Sequence, residues 1–148
     1  MTPHLHVLLA EDEAEEKDFF IQGLKRLGLS YQISWAKDDK ELFELLETEP
    51  NIDLAIIDLD MPGKNGKECL KEIKAHEKYK SIPVIVMTVS KNTPDINEVF
   101  EHGAHYYAIK PYSQRNYIET LRQIFTIDWK MPQPIPEKRH FIINLAFV

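Results

Sequence analysis

Residues 54–63 have the sequence LAIIDLDMPG, in which four apolar residues lead directly into Asp58 and a turn. A short apolar run that ends at Pro62 and Gly63 is typical of a strand buried on both faces. Asp58 is therefore expected at the carboxyl end of a strand, the edge at which open α/β sheets bind ligands. This stretch predicts both an α/β fold and the position of a functional site.

Similar apolar runs occupy residues 5–10, 31–36, 83–88 and 106–110, and longer amphipathic segments follow each of them. Helices are expected over residues 15–27 and 94–102, after the caps Asp38 and Ser113, and after the turn at 62–66. The first helix is expected to bury Phe19, Phe20, Leu24 and Leu27. Five βα units in strict alternation predict a five-stranded, doubly wound parallel sheet, a flavodoxin-like (βα)5 sandwich.

The last 22 residues differ in composition from the rest. Prolines at 132, 134 and 136 predict a stiff extended segment, and residues 141–148 are apolar apart from Asn144. Two interpretations are open: a strand or strap that packs on its own domain, or a segment that docks on a second copy or another protein. The predicted organisation is one domain over residues 4–126 and a C-terminal extension over residues 127–148.

Composition narrows the class of protein. A chain of 148 residues suits a single domain, and its net charge of −6 argues against nucleic-acid binding, which needs clustered cations. Cys69 is the only cysteine, so an internal disulfide is excluded and a reducing compartment is favoured. The sequence has neither the basic leader of a signal peptide nor an apolar run long enough for a membrane span, and we expect a cytoplasmic protein.

Polar side chains follow four of the predicted strands: Glu11 and Asp12, Asp58, Thr88 and Lys110. Parallel strands would bring these side chains to one edge of the sheet. Three carboxylates there would repel one another unless a cation were bound, and Mg²⁺ is the cation that suits such donors. With Mg²⁺, Lys110 and the Thr88 hydroxyl to neutralise and orient a phosphoryl group, one aspartate could accept it.

Four segments in this order, LLAED at 8–12, IDLDMPG at 57–63, VMT at 86–88 and IKP at 109–111, resemble the receiver domain of two-component response regulators. The resemblance covers roughly residues 4–126. Within it, the chain is similar to stand-alone chemotaxis regulators and to single-domain regulators paired with phytochromes. It implies that Asp58 is the phosphoacceptor, that Thr88 and Lys110 contact the phosphoryl group, and that Tyr107 is an aromatic switch that turns inward when Thr88 moves.

The same resemblance implies a magnesium site. Asp12 and Asp58 would bind Mg²⁺ directly, Glu11 mainly through water, and Asp60 through its backbone carbonyl. The phosphoryl donor would be a sensor histidine kinase or a histidine phosphotransfer protein. The output would be contact with an unknown downstream protein, with a homodimer as one possibility and no role for nucleic acid or membrane.

Three alternatives remain open at this point. Asp58 and Asp60 could be the nucleophile and general acid of a haloacid-dehalogenase-type phosphatase, although that motif normally opens the chain. The domain could be a phosphorylation-independent adaptor. A flavodoxin-type electron carrier shares the strand pattern, but no Ser/Thr/Gly-rich phosphate loop follows the first strand. We expect a regulator with only self-phosphorylation and self-dephosphorylation, and not a metabolic enzyme.

Overall fold

Residues 4–144 are described in this computed structural model, and they form one parallel sheet in the strand order β2-β1-β3-β4-β5-β6. The strands are β1 (His6–Ala10), β2 (Gln32–Ala36), β3 (Leu54–Ile57), β4 (Val84–Thr88), β5 (Tyr106–Ile109) and β6 (Ile142–Asn144). The helices are α1 (Ala14–Arg26), α2 (Asp39–Thr48), α3 (Gly66–Ala75), α4 (Thr93–Glu101) and α5 (Gln114–Thr126). The predicted doubly wound α/β fold is confirmed.

The helices lie in two layers because successive strand residues face opposite sides of the sheet. Leu8 and Ile57 face a first layer, formed by α2, α3 and α4, whereas Leu9 and Ile56 face a second layer, formed by α1 and α5. Four helices begin at side chains that accept a hydrogen bond from the first turn: Asp38, Asn65, Asn92 and Ser113. Both caps predicted from the sequence are among them.

One expected core residue is not in the core. Phe19 is 48% exposed, whereas Phe20 and Leu24 are buried against the second face of the sheet. Residues 20 and 24 are one helical turn apart and share a face, but residue 19 is rotated by about 100° from residue 20. The apolar stripe of α1 is therefore narrower than the composition of the helix suggested.

The extension adds a sixth strand, so the expected five-stranded sheet is corrected to six. β6 pairs in parallel with β5, and Tyr107 lies opposite Ile142 in the register. Before it, the chain crosses the base of the sheet, where Trp129 is buried and Lys130 forms an ion pair with Asp53 at 2.8 Å. Of the two interpretations of the tail, a strand on its own domain is observed as far as Asn144. Residues 145–148 of the apolar segment lie outside the described residues.

Among residues 4–144, no helix has the length and apolar character needed to cross a membrane.

Candidate functional site

Lys110 lies at the centre of the carboxyl edge of the sheet. Its Nζ donates hydrogen bonds to Asp58 Oδ2 at 2.8 Å and to Glu11 Oε1 at 2.9 Å. Both carboxylates and the ammonium group are largely shielded from water, and Glu16 Oε2 lies 3.6 Å from the same nitrogen. Three strand ends that are far apart in the sequence, those of β1, β3 and β5, therefore contribute to one charged cluster.

Burial sets the electrostatics of this cluster. It raises the pKa of the Glu11 carboxyl to about 8, and Asp58 adds to the rise while Lys110 opposes it. Burial alone would lower the pKa of Lys110, but Asp58 and Glu11 raise it well above its usual range. A single ammonium group thus does not offset the cost of placing two carboxylates out of water, and the site favours an additional positive charge.

The backbone fixes the Asp58 carboxylate from the other side. Oδ1 of Asp58 accepts a hydrogen bond from the Asp60 N–H at 3.0 Å, so the two oxygens have different partners. The Asp60 side chain is exposed. Gly66, the first residue of α3, packs against this loop, and a Cβ there would lie 2.7 Å from the Leu59 Cα. Only glycine allows α3 to begin this close to Asp58.

Asp12, the residue after Glu11, is more exposed than Glu11 and Asp58. Its side chain is exposed, and its backbone N–H donates to Glu11 Oε2 at 3.1 Å. Among the residues that the structure describes, no three His, Cys, Asp or Glu side chains converge as metal ligands. The donors expected for Mg²⁺ are nevertheless the hard oxygens it prefers, and the raised pKa of Glu11 is consistent with a site that lacks positive charge. The magnesium site stays a prediction.

Thr88 is fully buried at the end of β4, beside the lysine strand. Its carbonyl accepts a hydrogen bond from the Lys110 N–H at 2.7 Å. Its hydroxyl oxygen has no hydrogen-bond partner within residues 4–144. A buried hydroxyl without a partner is costly, so this group is available to a ligand that reaches it.

Tyr107 has its side chain turned into the protein and is fully buried. Its hydroxyl donates to the Ser90 carbonyl at 2.9 Å, and burial raises its pKa. The Ser90 hydroxyl donates to Asp95 Oδ2 at 2.7 Å, and Asp95 forms an ion pair with Lys67 of α3. This chain of contacts links the loop after β4 to α4 and α3.

Sequence reasoning missed several residues around the cluster. The Trp35 indole N–H donates to the Glu11 carbonyl at 2.7 Å, and Tyr117 lies close enough to Lys110 to line the same small cavity. Beside it, a cleft of about 470 Å³ opens between α1 and α5, and Phe19, Val89 and Tyr112 contribute exposed apolar surface to it. The position of Trp35 at the end of β2 was the available signal, because that strand ends at the same edge as β1.

Comparisons with known proteins identify the family of this chain. The family model of the response regulator receiver domain matches residues 7–122. The two-component response regulator ORR5 of Oryza sativa subsp. japonica is 33% identical over 106 residues, which cover 72% of this chain and 78% of that protein.

Two solved structures resemble the fold over nearly its whole length. The Mn²⁺-bound form of response regulator Rcp1 gives a TM-score of 0.77 at 26% identity, covering 90% of this chain and 99% of that one. The phosphorylated cyanobacterial phytochrome response regulator RcpA gives a TM-score of 0.80 at 24% identity, covering 91% of this chain and 100% of that one. These comparisons lend no support to the haloacid-dehalogenase alternative. The chain belongs to the response regulator receiver domain family of two-component signalling proteins.

Proposed function

We propose that Asp58 accepts a phosphoryl group from a phosphohistidine on a sensor histidine kinase or a phosphotransfer protein. The observation that carries this proposal is the contact of Lys110 Nζ with Asp58 Oδ2, on a carboxylate whose other oxygen is held by the Asp60 N–H. A nucleophile fixed beside a cation is the arrangement that phosphoryl transfer requires, since its barrier is lowered mainly by positioning and charge neutralisation.

The transfer forms a bond between an Asp58 carboxylate oxygen and phosphorus, while the phosphorus–nitrogen bond breaks and its electron pair stays on the imidazole. The Lys110 ammonium group then contacts the phosphoryl oxygens of the new acyl phosphate and offsets their negative charge. The Thr88 hydroxyl, which is buried and lacks a partner among the described residues, donates to a phosphoryl oxygen.

Mg²⁺ is the proposed cofactor, and the groups that would hold it are Asp12, Asp58, the Asp60 carbonyl and, mainly through water, Glu11. When bound, the ion would supply positive charge that offsets the charge of a phosphoryl group. The support in this chain is the raised pKa of Glu11, which a nearby divalent cation would lower.

The proposed output is a change in protein contacts. Thr88 and Tyr107 act as the switch pair, and the surface near α4 and β5 then favours a downstream protein or a second copy of the chain. Ligation can shift such an equilibrium only by its differential affinity for the two states. The regulator acts in the cytoplasm and has no metabolic substrate of its own.

The cleft of about 470 Å³ supports access by a donor protein. It borders Lys110, and exposed Phe19 and Tyr112 lie on its walls. A donor protein that brings its phosphohistidine toward Lys110 from this side would have exposed aromatic side chains to pack against, and aromatic residues are enriched in protein interfaces.

Incubation of the full chain with Mg²⁺ and acetyl phosphate, followed by intact mass measurement, tests the proposal. The expected result is a gain of one phosphoryl group that is lost in D58N and retained in D60N, a matched control two residues away. A phosphoryl gain that persists in D58N contradicts the proposal. Size-exclusion chromatography of the same samples reports whether phosphorylation changes the oligomeric state.

A further inference from the structure

The C-terminal extension touches the proposed switch directly. The Tyr107 N–H donates to the Phe141 carbonyl at 3.1 Å, and this is the first bond of the ladder between β5 and β6. The backbone of the tail is therefore attached at the residue whose side chain is proposed to move.

The side chains meet as well. Phe141 is fully buried in the first layer, with its ring centroid 6.4 Å from that of Tyr107 and 5.0 Å from that of Phe100 on α4. The Phe100 pair is close to perpendicular, an arrangement that aromatic rings favour. Phe141 thus fills the space between the switch strand and the helix beside it.

The hydroxyl end of Tyr107 is held at the same time by Ser90. Outward rotation of the tyrosine would break this hydrogen bond and open a void beside Phe141. Close-packed interiors resist such voids because the atoms lining them lose contacts that nothing replaces.

We propose that Phe141 is a positioning residue for Tyr107. It stabilises the inward position of the tyrosine side chain, so the C-terminal extension sets the equilibrium between the inward and outward positions. The inference rests on the proposed function, in which the position of Tyr107 reports the state of Asp58. With Phe141 in place, Tyr107 is inward in most molecules before phosphorylation. Without it, the inward position depends on the ligand at Asp58.

The test measures the accessibility of Tyr107 by tetranitromethane nitration and peptide mapping of the full-length protein. Tyr112 is 84% exposed and is an internal standard that should react in every sample. The variants are F141A, F141L, which keeps apolar bulk, and I142A, which changes the neighbouring 43% exposed side chain of the same strand. Each is measured with and without Mg²⁺ and beryllofluoride, an analogue of the phosphoryl group.

Tyr107 should be protected in the wild-type protein, F141L and I142A with or without beryllofluoride. In F141A its nitration rate should rise about tenfold, the population change that loss of one aromatic ring contact can produce. Beryllofluoride should then restore protection in F141A. Any ligand of the folded state also stabilises it, so nitration of Tyr107 is compared with that of Tyr79, which is buried in the same layer. A residue that merely stabilises the fold would expose both tyrosines when it is removed, whereas loss of a positioning residue exposes Tyr107 alone.

Protection of Tyr107 in folded F141A without beryllofluoride overturns the proposal. If F141A does not fold, F141V replaces it in the experiment, since valine is too short to reach the tyrosine ring. Protection of Tyr107 in folded F141V without beryllofluoride would likewise overturn the proposal. The proposed function is tested separately by phosphoryl gain from acetyl phosphate. Phosphorylation at Asp58 with Tyr107 always protected refutes only the role of Phe141, whereas an exposed Tyr107 without phosphorylation refutes only the proposed function.

Discussion

Lys110 and Asp58 lie in contact although they are 52 positions apart and follow strands that are not neighbours. The ammonium nitrogen is 2.8 Å from Oδ2 of the aspartate, and β4 lies between their strands. The lysine side chain therefore reaches across β4, and the aspartate side chain and the hydrogen bond cover the rest of the two strand spacings, which total roughly 10 Å. Its charge lies within the protein and not on a freely moving surface arm.

Replacing Lys110 with methionine should lower the free energy of unfolding by about 3 kcal/mol. The change leaves the buried Asp58 carboxylate without its cation, and breaking one side of a buried ion pair carries a cost of this order. Urea unfolding measures it. K130M is the matched control, because its half-exposed pair with Asp53 should contribute about 1 kcal/mol or less. Equal losses in the two variants would contradict the account of Lys110.

Substitution of Thr88 by valine should leave the unphosphorylated protein as stable as the wild type, or raise the free energy of unfolding by up to about 1 kcal/mol. The reason is that its buried hydroxyl lacks a partner among the described residues. T120V is the control, since the Thr120 hydroxyl donates to the Asn116 carbonyl at 2.9 Å and its loss should cost about 1 kcal/mol.

The same valine variant should behave differently once the site is occupied. With beryllofluoride and Mg²⁺, T88V should gain less stability than the wild type by about 1.5–3 kcal/mol, the range for a hydrogen bond to a charged group. Urea unfolding with and without the ligand gives this difference. An equal gain in both proteins would remove Thr88 from the phosphoryl site.

Trp35 should report Mg²⁺ binding. Its indole N–H is bonded to the Glu11 carbonyl, and Lys17 Nζ lies 4.7 Å from its ring centroid, so charge changes at the acidic edge should alter its fluorescence. A saturable Mg²⁺ response is expected in the wild type and in W129F, and none in W35F. D12N should weaken the response to Mg²⁺, and an unchanged titration in D12N would exclude the predicted metal role of Asp12.

Mg²⁺ affinity should fall as the pH is lowered below 8. The pKa of Glu11 is raised to about 8 from 4.5, so this carboxyl holds a proton at neutral pH in the metal-free protein, and the proton must leave before the charge can serve the cation. The loss is at most about tenfold per pH unit. Titrations of Trp35 fluorescence at pH 6 and 8.5 measure it, and the E11Q variant should show a flatter dependence.

The free energy of unfolding should fall as the pH drops below 6.5, because of a histidine at the base of the sheet. His105 Nε2 lies 2.9 Å from the Gln133 carbonyl and must carry the hydrogen, so its buried Nδ1 is an acceptor that lacks a partner within residues 4–144. Burial, with a contribution from Lys74, lowers the pKa of His105. The folded state thus binds fewer protons than the unfolded state below pH 6.5, and stability is lost as the pH falls through this range.

H105Q isolates that contribution, because its amide can still donate to the Gln133 carbonyl but does not titrate. Urea unfolding followed at pH 7.5 and 5.5 should show a larger loss for the wild type than for H105Q, and titrations elsewhere cancel in the comparison. A loss of the same size in both proteins would show that His105 stays neutral over this range or does not hold the tail.

The strands and the edge that gathers the polar residues were predictable because they depend on short-range pattern. Parallel strands covered on both faces read as apolar runs, and each run ended directly before Asp58, Lys110 or another polar residue. The burial of Tyr107 and not Tyr106 follows from the same alternation once the strand register is known. The sequence alone did not distinguish the two.

The sixth strand and the contacts of Lys110 were beyond the sequence for different reasons. β6 has only three residues, too few for a periodic pattern, and its partner is set by the path of residues 127–141 across the base of the sheet. The partners of Lys110 depend on side-chain conformation, since a lysine followed by proline is compatible with a surface position. The exposure of Phe19 shows that an apolar side chain at the margin of a helical stripe is not assigned by composition.

The path of the tail has a consequence for where this protein can be cut. Phe141 enters the first layer, whereas Trp129 and Ile143 enter the second, and β6 pairs with β5 between them. A fragment that stops at residue 126 would keep every segment by which the family is recognised, yet it would carry a hole in each core and a bare apolar edge strand open to other chains. We expect such a fragment to be a poor reagent for assays, because the residues that complete the folded core extend beyond the segments that identify the family.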